Sequence, residues 1–161
     1  MLPHARPGGI AGLLELLDDR GGKEDLYHLA DELLMDVADL LPIVEAAALL
    51  AFATSTKGDV EITPEGKTFA QADISTRKLL FREAVLAHVP LFQQINNGLM
   101  CKSDHAMPLE FFRDLLEEHF SEDEAQKQIE TALNWGRYGE IFTYDSENER
   151  LVLHEGMGKS K

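Results

Sequence analysis

The chain has a single cysteine, Cys101, and cannot close a disulfide within itself, which points to a reducing compartment and a cytoplasmic protein. It has no run of about 18 apolar residues, the length a membrane-crossing helix needs, so no direct membrane insertion is expected. The apolar stretch within MLPHARPGGIAGLLELLDD is too short and too soon charged for a signal peptide. Positive charge is also scarce. Fifteen Lys and Arg stand against 29 Asp and Glu, a formal net charge of -14, which repels nucleic acid at long range and favours solubility.

The signatures of catalysis are equally thin. Gly158-Lys159-Ser160 looks like the end of a phosphate-binding loop, but the motif needs a glycine five positions earlier and Leu153 stands there. Cys101 and His105 in CKSDH supply two metal ligands where a structural zinc site takes four. His28, with Asp31 and Glu32 one turn on, reads as solvated polar surface, and His88 and His119 read as histidines bordering apolar stripes. No spacing of Ser, His and Asp marks a nucleophile. The chain is therefore expected to be no enzyme, with no cofactor, no metal and no catalytic residue.

What the sequence does have is helical periodicity. Hydrophobic residues make up 44% of 161 residues, enough to build one ordinary domain or two small ones. Ile10, Leu13, Leu14 and Leu17 recur at helical spacing, and Gly21 or Gly22 can close that helix with a left-handed residue. DLYHLADELLM reads as a second helix capped by Asp25. VADLLPIVEAAALLAF reads as a third, for which Asp39 is the better cap than Asp36, because Pro42 then falls in the first turn. Phe52-Ala53-Thr54 and Val60-Glu61-Ile62 flank Lys57-Gly58-Asp59, a hairpin. Thr63-Pro64 then starts an exit helix, PEGKTFAQA.

The second half repeats this order. Asp73 caps ISTRKLLFREAVLAH, Pro90 interrupts it, and LFQQINNGLM and PLEFFRDLLEEHF follow. Ser121 and Glu124 form a capping box for a helix carrying Ala125, Ile129, Ala132, Leu133 and Gly136, which Gly139 can end. Residues 141–144 and 151–153 flank DSENER, a second hairpin. The fold class is mainly α with small β hairpins: tandem winged-helix-like modules over 8–72 and 90–155, a connecting helix over 73–89, and a flexible tail over 156–161.

A winged helix suggests DNA, but fold does not fix function. A reading helix needs basic and amide side chains toward base edges and phosphates. VADLLPIVEAAALLAF holds no Lys or Arg and does hold Asp39 and Glu45. In SEDEAQKQIETALNWGRYGE, Lys127 and Arg137 are outnumbered by Glu122, Asp123, Glu124, Glu130 and Glu140. Such faces add repulsion against phosphate, so nucleic acid is not the expected partner. The compact basic group Arg77, Lys78 and Arg82 reads as a solvated helix face or, in the sharper reading, a docking strip for an acidic protein partner. Trp135-Gly136-Arg137-Tyr138 is the densest aromatic cluster. Core packing accounts for it, with Gly136 allowing close approach of a neighbouring helix; the alternative makes Trp135 and Tyr138 an inter-module pocket for a small molecule.

LLELLDDRGGKEDLYHLADEL, VADLLPIVEAAALLAF, VEITPEGKTFAQADISTRKLLFREAVLAHVPL and EFFRDLLEEHFSEDEAQKQIETALNWGRYGEIFTYD together resemble the AAA-associated C-terminal domain. In nitrate-, sulfonate- and taurine-type ABC transporters this domain follows the ATP-binding cassette. The resemblance runs from about Gly9 to His154 and brings no phosphate loop, signature motif or catalytic glutamate with it. It implies a non-catalytic accessory or regulatory module acting by protein–protein contact with a transporter ATPase or as a homodimer. A winged-helix transcriptional regulator and a small-molecule sensor are the alternatives.

Overall fold

The computed structural model describes residues 2–154, over which eight helices and six short strands alternate. The first half runs α1 (Pro7–Asp19), β1 (Lys23–Asp25), α2 (Leu26–Glu32), α3 (Val37–Leu49), β2 (Ala53–Thr56), β3 (Asp59–Ile62) and α4 (Pro64–Gln71). A bridging helix, α5 (Ile74–His88), leads to α6 (Pro90–Cys101), β4 (Ala106–Pro108), α7 (Leu109–Glu117), α8 (Glu122–Tyr138), β5 (Phe142–Asp145) and β6 (Arg150–Leu153). The order α-β-α-α-β-β thus occurs twice. The tail over 156–161, with Gly158-Lys159-Ser160, lies outside the described residues.

Local chemistry accounts for most boundaries. The Asp25 carboxylate accepts from the Tyr27 and His28 amides, the Thr63 hydroxyl from Gly66, Asp73 from Thr76 and Ser121 from Glu124, each satisfying amides that the first helical turn leaves free. Gly21 and Gly22, at φ 85° and 95°, end α1. One boundary differs from expectation. α3 starts at Val37 behind Asp36, not behind Asp39, so Pro42 lies inside the helix. The Asp39 and Leu40 amides both bond the Asp36 carbonyl, and Asp39 instead places its charge in the first turn, where the helix dipole favours it. α8 does end at Gly139, as expected, with Glu140 next to it in the left-handed region at φ 57°.

Each hairpin gains a third strand that the sequence does not announce. β1 pairs with β3 through Lys23↔Glu61, Glu24↔Val60 and Asp25↔Asp59, giving the order β1-β3-β2. β4 pairs with β6 through Ala106↔Val152, Met107↔Leu151 and Pro108↔Arg150, giving β4-β6-β5. All pairs are antiparallel. Both added strands are three residues long and lie on an edge, where Lys-Glu-Asp and a terminal proline are tolerated.

One core runs through both halves. Phe52 stacks on Phe69 at 4.9 Å in the first half; in the second, Phe92 stacks on Trp135 at 6.3 Å and on Phe142 at 5.9 Å. Phe81 of α5 joins them, with its ring edge-on to Trp135 at 5.7 Å and to Tyr138 at 5.0 Å. Two glycines let backbone come this close. A Cβ at Gly66 would stand 2.0 Å from the Phe52 carbonyl oxygen, and one at Gly136 would stand 2.3 Å from the Phe142 ring. The neighbour Gly136 admits is therefore a ring from β5, not another helix.

Candidate functional site

α5 carries the three basic residues singled out in the sequence, and all three are engaged within the chain. The Arg77 guanidinium donates to the Phe69 and Ala70 carbonyls at the end of α4, pairs with Glu15 of α1 at 2.8 Å, and lies over the Phe69 ring at 5.6 Å. The last carbonyls of a helix have no partner within it, and a cation there also meets the negative end of the dipole. Lys78 sits 3.6 Å from Glu140, and Arg82 donates to the Glu140 carbonyl at 3.5 Å, both at the end of α8. α5 therefore fastens α1 and α4 on one side to α8 on the other.

The aromatic pair divides. Trp135 has no exposed surface, and its indole N–H donates to the Ala5 carbonyl at 2.7 Å, so its one polar atom is satisfied. Tyr138 lies at the edge of an open hollow of about 450 Å³, shared with Lys78, Arg137 and the Arg6–Gly9 segment. Burial pushes the Tyr138 phenol above its ordinary value, while nearby Arg77 works the other way.

The Ala5 contact belongs to a strap that sequence reasoning missed. Residues 2–6 run along α8. The Leu2 amide donates to Gln128 Oε1 at 2.7 Å, and Gln128 Nε2 returns a bond to the Leu2 carbonyl at 3.1 Å. The His4 ring lies 2.9 Å from both the Thr131 hydroxyl and the Glu124 carboxylate. With Nε2–H donating to Glu124, neutral His4 accepts from Thr131 through Nδ1. The Gln128 amide and His4 hold the Glu124 carboxyl below the usual carboxylate range. A signal for the strap did exist: Gln128 falls on the apolar stripe with Ala125 and Ala132, and a buried amide in such a stripe requires a partner.

The remaining polar candidates stay apart. Cys101 is exposed, and His105 adopts φ 53° at the entry to β4, its amide bonded to the Lys102 carbonyl. His28 lies 3.4 Å from Glu24 on the surface, and His88 is exposed. Among the described residues no group of three or more His, Cys, Asp or Glu side chains is placed to hold a metal ion. None of the helices over those residues is long and apolar enough to cross a membrane.

One concavity has a mainly apolar wall. A cleft of about 390 Å³ opens where α5 meets α6, at Val89, Pro90 and Leu91, and is walled by Leu115, Leu116 and Phe120 around the end of α7. Phe111, one turn before Leu115, is 52% exposed. Neither curated proteins nor solved structures give a match to the chain. The family model described as the C-terminal AAA-associated domain matches residues 27–145, from the start of α2 to the end of β5. The chain belongs to the C-terminal AAA-associated domain family.

Proposed function

We propose that this chain is a non-catalytic accessory module that works by protein–protein contact on the cytoplasmic side of a membrane, with the ATPase of a nitrate-, sulfonate- or taurine-type ABC transporter as its partner. The observation that carries the reading is the family match over residues 27–145. In this reading the chain is a pair of winged-helix-like modules, 8–72 and 90–155, joined by α5. The doubled α-β-α-α-β-β order and the matching sheet orders β1-β3-β2 and β4-β6-β5 support it.

Charge supports a protein partner over DNA. In such a module α3 and α8 would face the groove. α3 has no cation, and the first turn of α8 is Glu122, Asp123 and Glu124. Presenting these to phosphate costs repulsion and releases no counterions. The test is co-expression of the tagged chain with the transporter's ATP-binding subunit, followed by affinity capture and gel filtration. Co-migration of the two is expected. Capture of neither that subunit nor another transporter component would remove the proposal, and salt-sensitive retention of duplex DNA in a gel shift would replace it.

A further inference from the structure

We infer that the cleft between the α5–α6 junction and the end of α7 receives an amphipathic helix of a partner protein, its apolar side in the cleft and its Lys and Arg residues against the exposed carboxylates of α7. This rests on the reading of the chain as a protein-contact module and assigns the contact a place.

α7 has three stripes. Leu109, Phe112 and Leu116 face the core. Phe111 and Leu115, four residues apart and so on one side of the helix, stay exposed at 52% and 36%, and Leu115 lines the cleft. Asp114, Glu117 and Glu118 are also exposed, and none of them forms an ion pair among the described residues. An apolar trough beside exposed carboxylates is a surface that helix-in-groove recognition can use, with anchors one turn apart on the incoming helix.

Other occupants fit less well. A small ligand needs convergent polar groups to orient it. Of the polar side chains in the cleft wall, Gln128 spends its amide on Leu2 and Glu124, and Gln94 and His119 stand exposed to solvent. A second copy of the chain, packed about a twofold axis, would bring two acidic margins of a -14 chain together. A cationic helix neutralises the margin while it fills the trough.

The probe is a fluorescein-labelled leucine–lysine peptide with apolar residues at helical period, compared with a scrambled peptide of the same composition, read by fluorescence anisotropy on the full chain. Phe111→Ser/Leu115→Ser tests the apolar anchors, and Glu117→Lys/Glu118→Lys tests the margin. Tyr27→Ser/Leu34→Ser, which removes exposed apolar residues on and just after α2, is the control, and circular dichroism confirms that each variant is folded. Saturable binding of the patterned peptide is expected, weakened about tenfold or more by the serine pair on α7, weakened in low salt by the lysine pair, and unchanged in the control. Equal binding of the scrambled peptide, no binding of either peptide, or indifference to Phe111→Ser/Leu115→Ser overturns the assignment. A concentration-dependent dimer that the serine pair dissolves would give the cleft to a second copy and overturn it too. ATPase capture that survives the serine pair would sink this site alone and leave the accessory role standing.

Discussion

The first half fills its core with leucine and alanine around one pair of rings, Phe52 and Phe69; the second adds a larger cluster of rings to its aliphatic residues. Around α1 and α3 the buried residues are Ile10, Leu13, Leu14, Leu17, Leu40, Val44, Ala46 and Ala47. Around α6 and α8 they include Phe92, Trp135 and Phe142. The hairpins differ as well. The first reverses through two residues, Lys57 and Gly58, both at positive φ, as a tight hairpin turn requires. The second reverses through residues 146–149, with the Asp145 carboxylate accepting from the Asn148 amide and side chain and from Arg150. The same element order and sheet order arise from dissimilar side chains, because apolar period, caps and turns specify the topology while the core needs only to be filled.

Four measurements can break or sharpen that contrast. The largest effect is expected from Trp135→Ala. It removes a ring touching Phe81 and Phe92 and leaves the buried Ala5 carbonyl without its donor, so urea unfolding followed by circular dichroism should show a loss of about 4 kcal/mol. Leu17→Ala in the first half should cost less, about 3 kcal/mol, because no polar atom is orphaned. Equal losses would mean that the ring core and the aliphatic core are equivalent.

Gly66→Ala comes next, at about 3 kcal/mol, since the new methyl meets a backbone oxygen that cannot swing aside. Gly98→Ala is its counterpart in the second half. Its methyl would meet the end of the Met107 side chain at 2.6 Å, which can rotate away, so its loss should be under about 1.5 kcal/mol. Emission from Trp135, the single tryptophan, follows both transitions.

A smaller effect separates the turns. Gly58 sits at φ 86° with nothing within 4 Å of its would-be Cβ, so Gly58→Ala tests backbone conformation alone and should cost about 1 kcal/mol. Glu149, at φ 50° in the second turn, already bears that strain, and Glu149→Gly should not destabilise.

The smallest effect is the pH response of the second hairpin. Hydrogen bonds from Asn148, then from Arg150, hold Asp145 below its ordinary value of 3.8. A depressed carboxylate contributes stability that is present above 3.8 and is lost as pH falls through its lower folded value. Protection of the Asn148 amide, its exchange relative to an unstructured amide at the same pH, should therefore fall below that pH more than protection at Gly58, and Asp145→Asn should flatten the difference.

The sequence by itself determined what short range controls. Asp25, Thr63, Asp73 and Ser121 bond amides two or three residues on, and the apolar residues of α1 and α8 recur within a few turns, so helices, caps and both hairpins are legible one segment at a time. Even there Pro42 misled, because α3 carries inside it a proline that local propensity would place at its start. Tertiary structure alone decided the third strand of each sheet, since Lys23–Asp25 and Ala106–Pro108 carry no strand pattern and pair only because β3 and β6 offer an open edge. It also decided the strap, whose partners Leu2 and Gln128 stand 126 residues apart, and the fate of Arg77, which looks free in sequence and is spent on α4 and α1. Contacts of that span depend on where whole elements come to rest, and no local spacing encodes that.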